Sequence, residues 1–334
     1  MKKILSFIFM FFVTLSLSAC NKGVEVTLDL SFGERTGTYY GDLVDGVPHG
    51  EGKFVTENSK GEGWTYEGDF VYGHFEGEGT TTWDDGQKEI GTYKNDVIVP
   101  MNGSEIADFY VSNEKYKYHV VEFVGQLFTA PEKYDGGVCF QMFTDIENNN
   151  NNTIVYVNDS RFTVYDGEYV KVVGVVGDVF EGTNAFGGIV TAPTITAYEC
   201  EVISYIDAVS PTLKSVYVGS SISKYGYEVM VEKIEFAKNE TRVYVKVTNN
   251  GGANFTMYSF NAKISQNGKQ YSEQDNWDAD YEWVEDDLMP GNYSEGIIAF
   301  PVLNQSNFTI YFDAHSDDWD EEFDNTFVFD VRVN

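Results

Sequence analysis

The side chains that most often do chemistry in enzymes are sparse in this chain. Histidine occurs four times, at His49, His74, His119 and His315, and no two of them have the His-x-x-x-His spacing of a zinc ligand pair. There is no Gly-x-Ser-x-Gly elbow, phosphate-binding loop or dinucleotide fingerprint. Carboxylates are abundant, with 53 Asp and Glu, and a glycosidase needs only two. We therefore predict no catalytic residues, no metal and no cofactor, with a carbohydrate-active enzyme as the alternative.

Two acidic runs near the C-terminus are interleaved with tryptophans. They comprise Asp275, Asp278, Asp280, Glu282, Glu285, Asp286 and Asp287, and then Asp313, Asp317, Asp318, Asp320, Glu321, Glu322 and Asp324. Such carboxylates could hold Ca²⁺, but neither run has the EF-hand glycine at position six with glutamate at position twelve. We expect solvated loops. Trp277, Trp283 and Trp319 are expected in a buried core, and a sugar or peptide platform is the alternative.

The first twenty residues have the layout of a secretory signal. Lys2 and Lys3 precede an apolar run from Ile4 to Val13, which is shorter than the about 20 residues of a membrane span. The segment then reaches Leu17-Ser18-Ala19-Cys20 and resembles a bacterial lipoprotein signal, which is cut before the cysteine. The resemblance implies that residues 1–20 are a lipoprotein signal and that Cys20 carries a diacylglyceryl group and palmitate-type acyl chains. A plain secretory signal is the alternative.

The lipoprotein resemblance implies a location in the bacterial cell envelope. The chain would be lipid-anchored on the outer side of the cytoplasmic membrane, or at the outer membrane of a Gram-negative cell, because two acyl chains suffice for stable anchoring. Loss of Lys2 and Lys3 with the signal would change the net charge from −31 to −33. Such a chain is repelled by nucleic acid and by anionic headgroups. We therefore predict an unidentified protein, peptide or glycan ligand, a membrane contact through lipid alone, and no nucleic acid.

Two cysteines are left once Cys20 is assigned to the lipid. Cys139 and Cys200 could pair as a disulfide in an oxidising exterior. Two small buried thiols fit the same sequence, because pairing cannot be deduced from sequence alone. Both alternatives therefore stay open.

An internal repeat at an offset of 27 residues organises residues 37–99. Tyr39 is followed by Gly41, Gly46, Gly50 and Gly52, and Tyr66 is followed at the same spacings by Gly68, Gly73, Gly77 and Gly79. The next start falls on Tyr93, where Asn95 takes the place of the glycine. Asn is the commonest non-glycine residue at positive φ, so this change suits an atypical last repeat.

This Tyr-x-Gly-x-aromatic pattern with Gly-x-Gly resembles the MORN repeat, with an insertion around residues 58–63. The resemblance implies one β-hairpin per unit, stacked hairpins, and a scaffold role. We expect Tyr66, Phe70 and Trp83 to fill the face between hairpins. Lipid headgroup binding, proposed for some members of the family, is disfavoured here by the carboxylates of Glu51, Glu67, Asp69, Glu76 and Glu78.

The middle segment, residues 115–209, resembles the OB-fold barrels of bacterial envelope lipoproteins. It has a polar loop at 148–152 and five β-rich runs, at 120–127, 138–143, 153–157, 169–176 and 194–203. An OB-fold can bind single-stranded nucleic acid. This segment, however, has five Lys or Arg against thirteen Asp or Glu, which is the wrong sign for a nucleic-acid groove.

The C-terminal segment, residues 222–334, has six runs that alternate apolar and polar residues, at 229–236, 242–248, 256–266, 294–301, 308–313 and 326–333. Turn residues such as Asn267-Gly268 separate them. The segment resembles the immunoglobulin-like domains that close many bacterial lipoproteins, without the Cys and Trp hallmarks of antibody domains.

These segments together predict an all-β protein. It consists of MORN-type β-hairpin repeats, a five-stranded OB-like barrel and an immunoglobulin-like antiparallel sandwich. The predicted function is that of a lipid-anchored cell-envelope binding or scaffold protein with no catalytic activity of its own. The alternative is a carbohydrate-active enzyme or a glycan-binding accessory protein of the envelope.

Overall fold

The computed structural model describes residues 22–58, 60–102, 108–183, 187–318 and 326–333. The predicted signal and Cys20 lie outside the described residues, as do Trp319 and the acidic residues from Asp320 to Asp324. The chain divides into two compact units. The first runs to Glu122 and includes Val173–Tyr198, and the second comprises Phe123–Val172 and Glu199 onward.

The N-terminal repeats form one antiparallel sheet whose seven strands pair in chain order. Its strands are β1 Val24–Leu30, β2 Gly33–Val44, β3 Val47–Glu57, β4 Gly63–Val71, β5 His74–Trp83, β6 Lys88–Lys94 and β7 Val97–Val99. Three repeat hairpins turn at Asp45-Gly46, Tyr72-Gly73 and Asn95-Asp96, and all six of these residues have positive φ. Such turns match the twist of the flanking strands. The MORN-type hairpin architecture is therefore confirmed.

This sheet begins with a hairpin that lies ahead of the predicted repeat segment. Strand β1 pairs with β2 from Val24↔Tyr39 to Leu30↔Gly33. Its residues Leu28 and Leu30 are 3% exposed and belong to the same core as the repeat aromatics. The aromatic face of the sheet is thus covered in part by the chain's own first strand.

The middle segment forms a closed five-stranded barrel, as predicted. The five barrel strands are β9 Val120–Leu127, β11 Gly137–Asp145, β12 Asn150–Val157, β13 Tyr169–Val176 and β16 Thr194–Ile203. The short strands β8 Met101–Asn102 and β10 Glu132–Tyr134 pair at the edges of this sheet, and a separate short hairpin joins β14 Phe180–Thr183 to β15 Ile189–Ala192. The strand order is β10-β11-β12-β16-β13-β9-β8, and a β11–β9 pairing closes the barrel. The polar loop predicted at 148–152 is shorter, because β12 already begins at Asn150 and pairs with β11.

The C-terminal segment is a sandwich of two antiparallel sheets. Its strands are β17 Thr212–Lys224, β18 Tyr227–Ala237, β19 Thr241–Asn249, β20 Phe255–Met257, β21 Lys263–Gln266, β22 Lys269–Ser272, β23 Asp287–Leu288, β24 Tyr293–Phe300, β25 Phe308–Ser316 and β26 Thr326–Val331. One sheet has the order β17-β18-β19-β24, and the other has β22-β21-β25-β20-β23 with β26 on β25. A single apolar core contains residues of both sheets, such as Val245 of β19 and Ile310 of β25.

Two parts of the sandwich differ from the sequence prediction. The run predicted at 256–266 is broken by a 3₁₀ turn at Ser259–Asn261, where Asp286 Oδ1 accepts hydrogen bonds from both the backbone nitrogen and the hydroxyl of Ser259. Strand β17 begins at Thr212, ahead of the predicted start at residue 222, and follows the short helix α1 Tyr205–Ala208. Within the described residues it is an edge strand that pairs only with β18, and its serine-rich sequence lacks the apolar pattern of the predicted strands.

Candidate functional site

Five glycines form a row across the N-terminal sheet. Gly41, Gly52, Gly68, Gly79 and Gly91 pair with one another in succession across strands β2 to β6. The first four of these are among the eight repeat glycines recognised in the sequence. None of the five has positive φ. Their role therefore differs from that of Gly46, Gly50, Gly73 and Gly77, which do have positive φ.

The glycine row makes room for the repeat tyrosines. A Cβ on Gly41 or Gly52 would lie 2.3 or 2.4 Å from the hydroxyl oxygen of Tyr39. Likewise, a Cβ on Gly68 or Gly79 would lie 2.6 Å from the hydroxyl oxygen of Tyr66. Since real Cβ atoms do not approach other atoms so closely, each tyrosine ring requires a facing pair of glycines. The Tyr-x-Gly pattern of the repeat is thus a packing rule.

The third repeat departs from this rule. Asn95 aligns with Gly68 at the 27-residue offset and has the expected positive φ, but it lies in a turn and not within a strand. Tyr93 instead exchanges a 2.7 Å hydrogen bond with Thr81, and burial raises the pKa of Tyr93 to about 12. Trp83, predicted to fill the face, is only partly buried against the aromatic core.

A buried carboxylate links the first and last turns of the repeat sheet to strand β5. Asp96 is 4% exposed and accepts hydrogen bonds from the backbone nitrogens of Ser31 and Phe75, both at 2.8 Å. His74 Nδ1 lies 2.9 Å from the same carboxylate. One side chain therefore joins the first turn of the sheet, β5 and the last turn. Its contacts are internal, so we assign it a structural role.

The acidic loop of the sandwich, residues 273–287, carries eight carboxylates and two tryptophans and is the candidate binding site. Its backbone is tied down at both ends, by Gln274 N to Ala299 O at 2.9 Å and by Ile297 N to Glu282 O at 2.9 Å. A Cβ on Gly296 of β24 would lie 2.4 Å from Glu282 O. The loop therefore crosses directly over that strand.

Two side chains anchor the acidic loop to a buried ion network. Asn276 Nδ2 donates to Glu240 Oε2 at 2.9 Å, and the hydroxyl of Tyr281 hydrogen-bonds to the other oxygen of Glu240. Glu240 pairs at 2.9 Å with Arg242, which is fully buried and also pairs with Glu235. Burial opposes the charge of Arg242, but its bonds to Tyr281, Glu240 and Glu235 outweigh burial and raise its pKa.

The tryptophans of this loop are not in the core. Trp277 is 80% exposed and Trp283 is 53% exposed, and their ring centroids lie 5.7 Å apart. The expectation of buried core aromatics was therefore wrong for both. Trp277 directly follows the anchor Asn276, and Trp283 comes two residues after the anchor Tyr281. The anchoring fixes two large apolar rings side by side in solvent.

A small cavity of about 50 Å³ lies beside Trp283. Its lining includes Trp283 and the 63% exposed Phe260 together with Glu273, Asp275 and Asn276. Burial, followed by the charge of Asp275, raises the pKa of Glu273. We refer to Phe260, Glu273, Asp275, Trp277 and Trp283 as the tryptophan surface.

The other predicted site residues lie elsewhere. Cys139 on β11 and Cys200 on β16 carry free thiols. Burial raises the pKa of Cys200 to about 12 and is also the main cause of the raised pKa of Cys139. Within the described ranges, no group of three or more His, Cys, Asp or Glu is placed to hold a metal ion. The acids of the first run are exposed except for the half-buried Asp286.

Comparison with known proteins identifies the repeats. Residues 39–59 and 66–88 match the MORN repeat. These ranges fall mainly within the hairpins β2–β3 and β4–β5. No curated protein matches the chain. Among solved structures, one from Bacillus subtilis, named as a lipoprotein (ycdA), is similar at 14% identity and a TM-score of 0.29. The match covers 35% of this chain and spans 39% of that one.

None of the helices in the described part of the chain is long and apolar enough to cross a membrane.

Proposed function

We propose that this protein is a lipid-anchored binding or scaffold protein of the bacterial cell envelope, without catalytic activity of its own. The observation that carries the binding role is the exposed pair Trp277 and Trp283. Tryptophan is enriched at the centres of binding interfaces. The water-exposed rings of this pair are fixed by hydrogen bonds from the same loop, which suits a surface that receives a partner.

The MORN repeats support a scaffold role for the N-terminal sheet. Their aromatic side chains, such as Tyr39, Tyr66 and Phe75, pack on one another and on Leu28. The repeats thereby use their apolar face to build the sheet. We therefore place ligand capture on the sandwich and a spacing or assembly role on the repeats.

The lipid anchor rests on the sequence from Leu17 to Cys20. We expect Cys20→Ala to release the protein into the soluble fraction, because no acyl chain would then hold a chain of net charge −31 at the membrane. Cys139→Ala is the control and should stay with the membrane. If the Cys20→Ala protein remained in the membrane pellet, lipid anchoring would be wrong.

The binding role is tested in the native envelope. The anchored protein is cross-linked in cells and its captured partners are compared with those of Trp277→Ala and Trp283→Ala. Tyr217→Ala is the matched control, because Tyr217 is 77% exposed on the edge strand β17 of the same sandwich. We expect both tryptophan variants, but not the control, to lose the partner. Identical capture by all four proteins would refute the assignment.

A glycan-binding or glycan-cleaving role is the second candidate, since Glu273 and Asp275 stand beside exposed tryptophan. Two carboxylates about 5–9.5 Å apart across a sugar are the signature of glycoside hydrolysis. If the protein cleaved glycan, envelope glycan incubated with it would show new reducing ends, and Glu273→Gln would abolish them. We expect no new reducing ends.

A further inference from the structure

The chain segment that carries Glu273, Asp275, Trp277 and Trp283 has acidic side chains and no basic ones. From Gln270 to Val331 the sequence has 17 Asp and Glu and no Lys or Arg. Eight of those acids lie in the acidic loop, which also carries Trp277 and Trp283. Carboxylates this dense repel an anionic ligand and attract a cation. Charge complementarity therefore favours a cationic ligand over an anionic one for this surface.

The aromatic rings of the tryptophan surface also favour a cationic ligand. Tryptophan is the best aromatic partner for a cation placed over its face. Trp277 and Trp283 present two such rings 5.7 Å apart, and the exposed Phe260 lines the same cavity as Trp283. Glu273 is half-buried in the lining of the same cavity as Asp275, and its burial and the charge of Asp275 raise its pKa. A bound cation would relieve that repulsion.

The size of the cavity limits what can enter it. Its volume of about 50 Å³ is far below the roughly 300–1,000 Å³ of pockets that enclose small-molecule ligands. It exceeds the roughly 10–15 Å³ of cavity volume that one water molecule needs. The tip of a single side chain fits this space.

We infer that the tryptophan surface binds a Lys or Arg side chain presented by a basic segment of a partner protein. The inference deepens the proposed binding role and rests on it. The ammonium or guanidinium group would enter the cavity between Trp283 and Phe260 and approach Glu273 and Asp275. Neighbouring basic residues of the segment would lie over Trp277 and the exposed acids of the loop.

The test uses the soluble mature protein with alanine at Cys20 and three probes: hexalysine, the same hexamer with all side chains acetylated, and chitohexaose. Affinity is measured by calorimetry at two salt concentrations. Site occupancy is read from the indole N–H resonances, of which the chain has five. We expect hexalysine to bind, more weakly at high salt, and to move the resonances of Trp277 and Trp283 but not those of Trp64 and Trp83.

Variants separate this site from the general negative charge of the chain. Trp283→Ala keeps every acid, and we expect it to weaken hexalysine binding by about twofold to thirtyfold, the range of one cation–π contact. Glu273→Gln should weaken binding as well. Tyr217→Ala and Glu51→Gln should not. Circular dichroism checks that each variant is folded, which we expect because both tryptophans are exposed.

Three results would overturn the inference: hexalysine binding that Trp283→Ala leaves unchanged, equal binding of the acetylated hexamer, or binding of chitohexaose alone. The proposed function fails separately. If the cross-linked partner in cells still depends on Trp277 and Trp283 while hexalysine does not bind, the binding role stands and the cationic ligand is wrong. If the partner is also independent of both tryptophans, the binding role itself is wrong.

Discussion

Replacing Gly79 by alanine tests most directly how the repeat glycines act. The new Cβ would lie 2.6 Å from both Cε2 and the hydroxyl oxygen of Tyr66. That ring cannot move aside, because it is fully buried and stacks on Phe75 with a centroid distance of 3.9 Å. Overpacking a close-packed core costs about 1–3 kcal/mol. Backbone strain adds nothing, since Gly79 is not at positive φ.

Hydrogen exchange of the whole protein, resolved to peptides that cover residues 63–99, isolates the free energy of opening this sheet. Because about 1.4 kcal/mol corresponds to a factor of ten, we expect Gly79→Ala to speed the exchange of protected amides by about fivefold to about a hundredfold. A Tyr66→Ala background should remove most of that difference, because the clash would be gone.

The matched control is Gly91→Ala in the same glycine row. Gly91 faces Gly79 across β5 and β6, but its Cβ would meet only the outer atoms Cδ1 and Cγ1 of the Ile98 side chain, at 3.1 and 3.2 Å. That flexible end can give way, so exchange should change little. If Gly79→Ala exchanged like the wild type, or if both variants lost protection equally, the packing rule would be refuted.

Three further predictions concern buried groups. Asp96→Ala should destabilise the repeat sheet by at least about 2 kcal/mol, because two backbone N–H groups lose their buried acceptor; exposed Glu51→Ala should leave hydrogen exchange of that sheet unchanged. Burial acts to raise the pKa of Glu235, but the hydrogen bonds that it accepts outweigh burial and hold the pKa below 4.5. The resulting stability is present above pH 4.5 and is lost as the pH falls through the folded-state pKa. We therefore expect the free energy of unfolding, measured from about pH 5 to about pH 3, to fall less steeply with decreasing pH for Glu235→Gln than for the wild type. An unchanged pH dependence would contradict this. Cys139 and Cys200 should resist alkylation in the native protein and take up two alkyl groups in denaturant without reductant; labelling that required reductant would reveal a disulfide.

The regular parts of the fold were predictable because their sequence period matches the strand period. Strands β9, β13 and β16 have the bounds of the predicted runs at 120–127, 169–176 and 194–203. In each run, apolar β-rich residues are bounded by turn residues, and that pattern is local. The MORN repeat was visible for a related reason, since its tyrosines and glycines recur at a fixed offset.

The parts of the fold that the sequence did not predict depend on contacts between residues that are far apart in the chain. Strand β17 is an edge strand with polar residues on much of its length, so it lacks the apolar pattern of a central strand. The exposure of Trp277 depends on Asn276 reaching Glu240, which lies 36 positions earlier. No local pattern encodes that distance. A tryptophan among acidic residues, with no Lys or Arg nearby in sequence, was the available signal of a surface position.

The anchoring of the acidic loop has a consequence for the energetics of recognition. Asn276 and Tyr281 both end on the carboxylate of Glu240, which Arg242 holds in place. A loop ordered before its partner arrives does not lose that conformational freedom at the moment of association. Preorganisation of this kind leaves more of the contact energy for affinity. The buried ion network beneath the acidic loop therefore contributes to the affinity that we propose for the tryptophan surface, although the network itself would not contact the ligand.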